Sequence, residues 1–327
     1  MTRLVFLLFF SLWTLVTAAQ SDIRPFASHN QSPLIHFFGL PNNEGGAIMA
    51  KNKFYLSARY NLTSNTTNAL FQDEFVYFDG EMTRIDLALR YGITNNLEIG
   101  LSVPFVRHSS GVMDSSVEDF HNILGLSGGA RALVPNNQMR YMYYRNESSY
   151  FNLIEESFGL GDISFEVGLK LLQGKKHAMA LRAYLKLNNG DKEQLIGSGT
   201  VDLSYQLSGS TVGAGQNPVS FFYSLGYLRV GRGSVLENMQ IKNVAFGSLG
   251  LAVVANSWLV PKVQLDYHSR FYKDSQTQEL GQFGMQFLMG ADFILNQHAT
   301  LTAGFTEDIK LNSSPDIVLH LGLGYAF

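Results

Sequence analysis

Residues 316–327 read Asp316-Ile-Val-Leu-His-Leu-Gly-Leu-Gly-Tyr-Ala-Phe327. Ile317, Leu319, Leu321, Leu323, Tyr325 and Phe327 fall on every second position. Asp316, Val318, His320, Gly322, Gly324 and Ala326 lie between them and, apart from Val318, are small or polar. A period of two sends the two sets to opposite faces of one strand. The first face suits lipid, and the second suits a hydrated or crowded interior. A tilted strand of about ten residues with an apolar outer face crosses a bilayer, and does so only within a closed barrel, because lipid offers no partner to unpaired backbone groups. Taken alone, the stretch fits the last strand of a soluble sandwich as well.

The rest of the chain favours the membrane. Met1-Thr-Arg3 is a short basic start, Leu4 to Val16 is almost wholly apolar, and Thr17-Ala18-Ala19 supplies small residues for cleavage. This is the pattern of a secretory signal peptide over 1–19. No later run of about 18 apolar residues exists, so helical membrane spans are excluded. Without Arg3 the chain carries 23 basic against 27 acidic residues, a net charge of −4, so no basic footprint points to nucleic acid. There are no cysteines, hence no disulfide and no thiolate chemistry. No metal-ligand spacing, phosphate loop or paired acids appears either, and no cofactor is expected.

Residues 20–52 show no period. Ser32-Pro-Leu-Ile-His-Phe-Phe-Gly-Leu-Pro41 is apolar and bracketed by prolines, which suits a tethered periplasmic segment better than a strand. It could plug the barrel mouth or strap its rim. From Lys53 the two-residue alternation returns again and again, over about 53–63, 81–91, 97–107, 162–171, 177–187, 199–207, 219–230, 244–255, 262–273, 281–295, 299–307 and 316–327. The expected fold is all-β, a transmembrane antiparallel β-barrel of about twelve strands spanning 53–327. The connections alternate in length. Those at 92–96, 173–177, 208–218, 255–261 and 296–298 are mostly shorter than those at 64–80, 109–160, 188–198, 231–243, 274–280 and 308–315. Outer-membrane barrels have short periplasmic turns and longer outer loops, which makes 109–160 a long extracellular loop.

The set opposite the apolar one supplies candidate lumen residues: Arg84, Asp86, Arg90, Glu98, Glu166, Lys170, Arg182, Lys186, Asp202, Asp266, His268, Arg270 and Asp292. A charge facing lipid at the midplane costs about 2–4 kcal/mol, so these groups need an interior. They would line a narrow pore of mixed charge, or fill a closed lumen with ion pairs. In the long loop, Val117, Phe120, Ile123 and Leu124 share one helical face over 117–124, with Asp114, His121 and Arg131 as polar candidates for a gate or ligand platform. One constellation suggests catalysis. Arg107-His108-Ser109-Ser110-Gly111, with Asn122 beyond it, resembles the His-X-Ser arrangement of outer-membrane phospholipase A. The register, however, turns His108 and Ser110 away from lipid, and no enzyme is expected.

Asn95-Asn-Leu-Glu-Ile-Gly-Leu-Ser-Val-Pro-Phe105 and Gly159-Leu-Gly-Asp-Ile163 resemble strand-opening motifs of outer-membrane transporter barrels. Together with Gly111-Val-Met-Asp114, Phe120-His121 and Gly128-Gly-Ala-Arg131 they make the chain similar to DUF3187, an uncharacterised Gram-negative family. The resemblance implies location in the cell outer membrane and a barrel fold, without a substrate or catalytic residue. An alternating strand with a terminal Phe also resembles the sorting signal of such barrels. The expected partners are therefore outer-membrane lipid, lipopolysaccharide and the assembly machinery acting through the last strand. The expected function is a passive channel for small or amphipathic solutes. A closed-lumen structural or binding barrel is the alternative, and an outer-membrane lipid hydrolase the third reading.

Overall fold

The computed structural model describes residues 23–111, 113, 138–211, 218–233, 235–309 and 314–327. Twelve long strands form the wall: β1 (Phe54–Phe71), β2 (Glu74–Gly92), β3 (Leu97–Ser109), β7 (Ser164–Gln173), β8 (His177–Lys186), β9 (Asp202–Thr211), β10 (Val219–Arg229), β11 (Asn243–Val253), β12 (Leu259–His268), β13 (Gly284–Ile294), β14 (Ala299–Asp308) and β15 (Ile317–Ala326). Three short strands, β4 (Arg140–Arg145), β5 (Ser148–Leu153) and β6 (Ser157–Leu160), come from the 109–160 region. Each wall strand pairs antiparallel with its neighbour, and β15 pairs back onto β1 from Tyr55↔Ala326 to Ser64↔Ile317. The expected twelve-strand barrel is therefore closed, and closure leaves no unpaired edge in its wall.

The alternation produces two surfaces. Leu56, Leu87, Val167, Leu225, Leu249, Leu321 and Leu323 are exposed on the outside, while Asn61, Asp86, Gln206, Ser248 and Gln286 are buried inside. An exposed apolar belt of this extent is costly in water and stable in lipid. The Gly- and Ala-rich strand near 244–255 obeys the same rule, with Leu249, Leu251 and Val253 outward and Val244, Phe246 and Ala252 inward.

Three expectations are corrected. Residues 64–80 are not a loop: β1 and β2 continue as a hairpin to a turn at Gln72–Asp73, paired as far as Phe71↔Glu74. Ser64-Asn-Thr-Thr-Asn68 lacks an apolar outward set, so its strand character escaped a test built on lipid contact. Ser64, Asn65 and Thr66 are buried, and pairing with β2 keeps them in strand form without lipid contact. Within 109–160, the β4–β5 hairpin extends this projection by pairing β4 with residues 74–79 of β2, and β6 pairs with β3. Finally, Arg270 does not sit on an inward row. It lies two residues beyond β12 and is exposed. Its neighbour Phe271, expected outward, is 1% exposed and packs inside, because the strand ends at His268 and the alternation ends with it.

Candidate functional site: a lumen occupied by an amino-terminal hairpin

Residues 23–50 run inside the barrel. The first leg enters beside the short turns, where Phe26 N–H donates to Gln264 Oε1 (2.9 Å) and Ser28 Oγ donates to Asp266 Oδ2 (2.7 Å). Asn30 Nδ2 then donates to His268 Nε2 (2.8 Å), whose Nδ1 donates to the Ser269 carbonyl (2.9 Å). The chain turns over 33–37 at the long-loop end. The second leg descends past Asp202, Asp266 and Ser210, which accept from Gly39 N–H (2.8 Å), Asn43 Nδ2 (2.8 Å) and Gly46 N–H (3.1 Å). It leaves where Met49 N–H donates to Glu98 Oε2 (2.8 Å). Gly46 is pressed so closely on the wall that a Cβ there would lie 2.0 Å from the Ala178 carbonyl oxygen. Asp266 is thus one carboxylate that holds both legs.

The inward charges gather into four groups. Arg182, fully buried, has Glu98 at 3.0 Å and Glu166 at 3.1 Å, and donates to the carbonyls of Gly45 and Ala47 at 2.7 Å each. Arg90 bridges the same Glu166 (3.1 Å) to Glu44 of the hairpin (2.6 Å). Lys186 Nζ reaches Asp162 (2.5 Å), Ser198 Oγ (2.6 Å) and, at 3.4 Å, Asp202. Arg84 pairs with Asp86 (3.0 Å) and also donates to the His36 carbonyl (3.2 Å). Lys262 pairs with Asp292 (2.7 Å). Lys170 is half-buried beside a second cavity of about 620 Å³ at the short-turn end and has no ion pair among the described residues. Buried charges are tolerated only when paired and hydrogen-bonded, and four of these partners, Glu44 and the carbonyls of His36, Gly45 and Ala47, belong to the hairpin. Sequence reading missed Glu44 and Lys262, and it placed Arg59 on the inward face without counting it among the candidates. Lys262 shares the inward parity of Gln264 and Asp266, and Arg59 that of Ser57 and Asn61, so the signal for both was present. Glu44 lies outside any period.

The long-loop end is apolar. Leu34, Ile35, Phe37 and Phe38 at the hairpin tip join Val76, Phe78, Tyr141, Tyr143, Leu236, Phe246, Phe271 and Tyr272 in one buried cluster. Phe38 stacks on Phe271 with centroids 4.8 Å apart and planes 8° apart, and Tyr272 OH donates to the Leu34 carbonyl (2.7 Å). His36 and His108 both donate from Nε2 to the Leu195 carbonyl, at 2.9 and 3.2 Å. Ser110 Oγ donates instead to Glu156 (3.1 Å). His108 therefore serves the cap, and Asn122 lies outside the described residues. So do Asp114, His121, Arg131, the 117–124 segment and residues 1–19, where a signal peptide is expected.

At the short-turn end the lumen is open. A cavity of about 870 Å³ lies between the first leg and β1, β12, β13, β14 and β15, bordered by Arg24, Phe26, Arg59, Trp258, Lys262 and His320 among others. No cluster of three or more metal-ligating side chains occurs among the described residues.

The sequence model described as "Protein of unknown function (DUF3187)" matches residues 2–327. The chain belongs to the DUF3187 family. No curated protein matches it in sequence. Among solved structures, the DUF3187 barrel is similar to the COG4313 outer membrane channel from Pseudomonas putida F1. The identity is 15%, the coverage 86% of this chain and 98% of that one, and the TM-score 0.56. The NanC porin (9% identity, 83% and 98% covered, TM-score 0.48) and the KdgM porin (8%, 84% and 99%, TM-score 0.42) are more distant. At these identities the likeness concerns the fold.

Proposed function

We propose that this DUF3187 protein is an outer-membrane channel for small solutes, held shut in the conformation described by its own amino-terminal hairpin. The observation that carries the reading is the asymmetry of the lumen: a solute-sized cavity opens at the short-turn end beside the hairpin legs, while an apolar cluster around the hairpin tip fills the long-loop end. The apolar belt and the strand architecture support residence in the outer membrane with the short turns in the periplasm, in contact with lipid and lipopolysaccharide. The alternating β15 is the segment offered to the assembly machinery. Passage requires the hairpin to withdraw or rearrange, and in this reading it is passive.

Because the chain has no cysteine, a single engineered pair can lock the hairpin. A Cβ at Gly45 would lie 4.0 Å from that of Ser210, within the span of a disulfide. Gly45→Cys with Ser210→Cys should conduct in a planar bilayer when reduced and fall silent when oxidised, with the cysteine-free chain unaffected by oxidant. The fully buried ion pairs favour a second reading, a closed structural barrel. Silence of the unmodified chain, and of a variant lacking residues 23–50, would establish that reading.

A further inference from the structure

Among the charges around the 870 Å³ cavity, one side chain stands out. Lys262 is satisfied by Asp292, by the Arg24 carbonyl (3.1 Å) and by the face of Phe26, whose centroid is 4.4 Å from Nζ. Asp292 also accepts from Thr302 (2.6 Å). Glu44 is taken by Arg90, His320 by Asn61 and Thr306, and the Arg24 guanidinium lies 3.8 Å over the Tyr55 ring. Arg59 differs. Of its five N–H donors, Nη1 reaches Ser57 Oγ (3.2 Å), while Nε is buried with no acceptor. The carboxylate opposite it in the β1–β2 register is Asp86, and both Asp86 oxygens are committed to Arg84, at 3.0 and 3.2 Å. Two guanidinium groups thus share one carboxylate, and Arg59 has no ion pair among the described residues. Beside it the wall is bare: a Cβ at Gly322 would lie 3.7 Å from Arg59 Cγ.

We propose that this cavity binds a small organic carboxylate, its head group on the fork of Arg59 and its apolar body toward Phe26, Tyr55 and Trp258. A guanidinium presents parallel donors to a carboxylate in a way an ammonium cannot. The surrounding rings and the Ile294 side chain supply apolar surface for an amphipathic body. An amine would meet the uncompensated positive charge, and a neutral solute would leave it unsatisfied. This rests on the channel reading and names the class of solute admitted.

Calorimetric titration of the detergent-solubilised protein with benzoate, benzamide and benzylammonium tests it. Benzoate should bind saturably, benzamide at least about tenfold more weakly, on the scale of one charge-assisted hydrogen bond, and benzylammonium not at all. Arg59→Gln should reduce benzoate to the level of benzamide, and Arg59→Lys should fall between, with both variants showing the heat-modifiable folded band. Equal affinity for benzoate and benzamide, benzoate binding indifferent to Arg59→Gln, or no saturable binding of any probe would overturn the proposal. Titration measures occupancy and needs no passage. Benzoate binding in a protein that never conducts would therefore refute the channel and leave the site standing, whereas conductance without benzoate binding would refute the site alone.

Discussion

The hairpin is held at its tip and along its legs by opposite means. At the tip, Leu34, Ile35, Phe37 and Phe38 sit in an apolar cluster, where attraction scales with area and has no direction. Along the legs, hydrogen bonds and ion pairs to named partners dominate, and Asp266 serves both legs at once. An apolar tip can slide or repack at modest cost. Polar legs cannot, because each shift strands a buried charge or donor. The difference teaches that the legs set the register of the hairpin, while the tip supplies adhesion and seals the long-loop end.

The sharpest way to break that contrast is at Arg182. Arg182→Ala removes the cation shared by Glu98 and Glu166 and releases the Gly45 and Ala47 carbonyls. Loss of one member of a buried ion network costs about 3–5 kcal/mol, so the folded band should melt at clearly lower temperature or denaturant. A change no larger than that of a surface substitution would mean that the legs are solvated and the contrast is wrong. At the tip, Phe38→Ala should cost about 3 kcal/mol through lost burial and the cavity left behind. Phe38→Met, which keeps most of the volume, should cost under about 1.5 kcal/mol. If Met proves as damaging as Ala, the tip depends on the ring stack with Phe271 and is as directional as the legs.

The smallest effect is expected from an ion pair outside the lumen. Arg107 and Glu156 lie 2.9 Å apart with side chains 55% and 46% exposed. The hydrogen bond from Arg107 and those from Ser110 hold the Glu156 carboxyl below its usual value. A carboxylate with a depressed folded pKa stabilises above its unfolded pKa and loses that contribution as the pH falls through the folded value. Because the pair is solvent-screened, Arg107→Ala should shift stability by less than about 0.5 kcal/mol near neutrality and by nothing in acid. Melting curves at the two pH values check this, and a large shift at either would show that pairing, rather than burial, gives the legs their strength.

Much of the wall was legible because lipid imposes a strict rule on it. Leu319, Leu321 and Leu323 must alternate with His320 and Gly322 wherever the bilayer touches the strand, so twelve strands could be found by parity alone. The same rule failed where lipid ends. Residues 64–71 form strand by pairing with β2 and carry no alternating apolar set, and Phe271 turned inward once β12 had stopped. The hairpin was harder still. Its backbone follows no repeat, so reading could place 20–52 near the mouth and leave open whether it plugged the barrel or strapped its rim. Asp266, Asp202 and Arg182 were recognised as inward charges, but nothing in a strand pattern says that they meet side chains and backbone groups more than a hundred residues earlier.

That distance has a consequence for assembly order. Phe26 meets Gln264, and Leu34 meets Tyr272, each across 238 positions of the chain. These contacts cannot form until the last quarter of the protein has been delivered. The segment that emerges early therefore cannot be fully seated before β12, and until then the polar groups that meet β12 lack their native partners. A chain built this way needs its leading end kept idle and soluble while the wall grows around the place it will occupy.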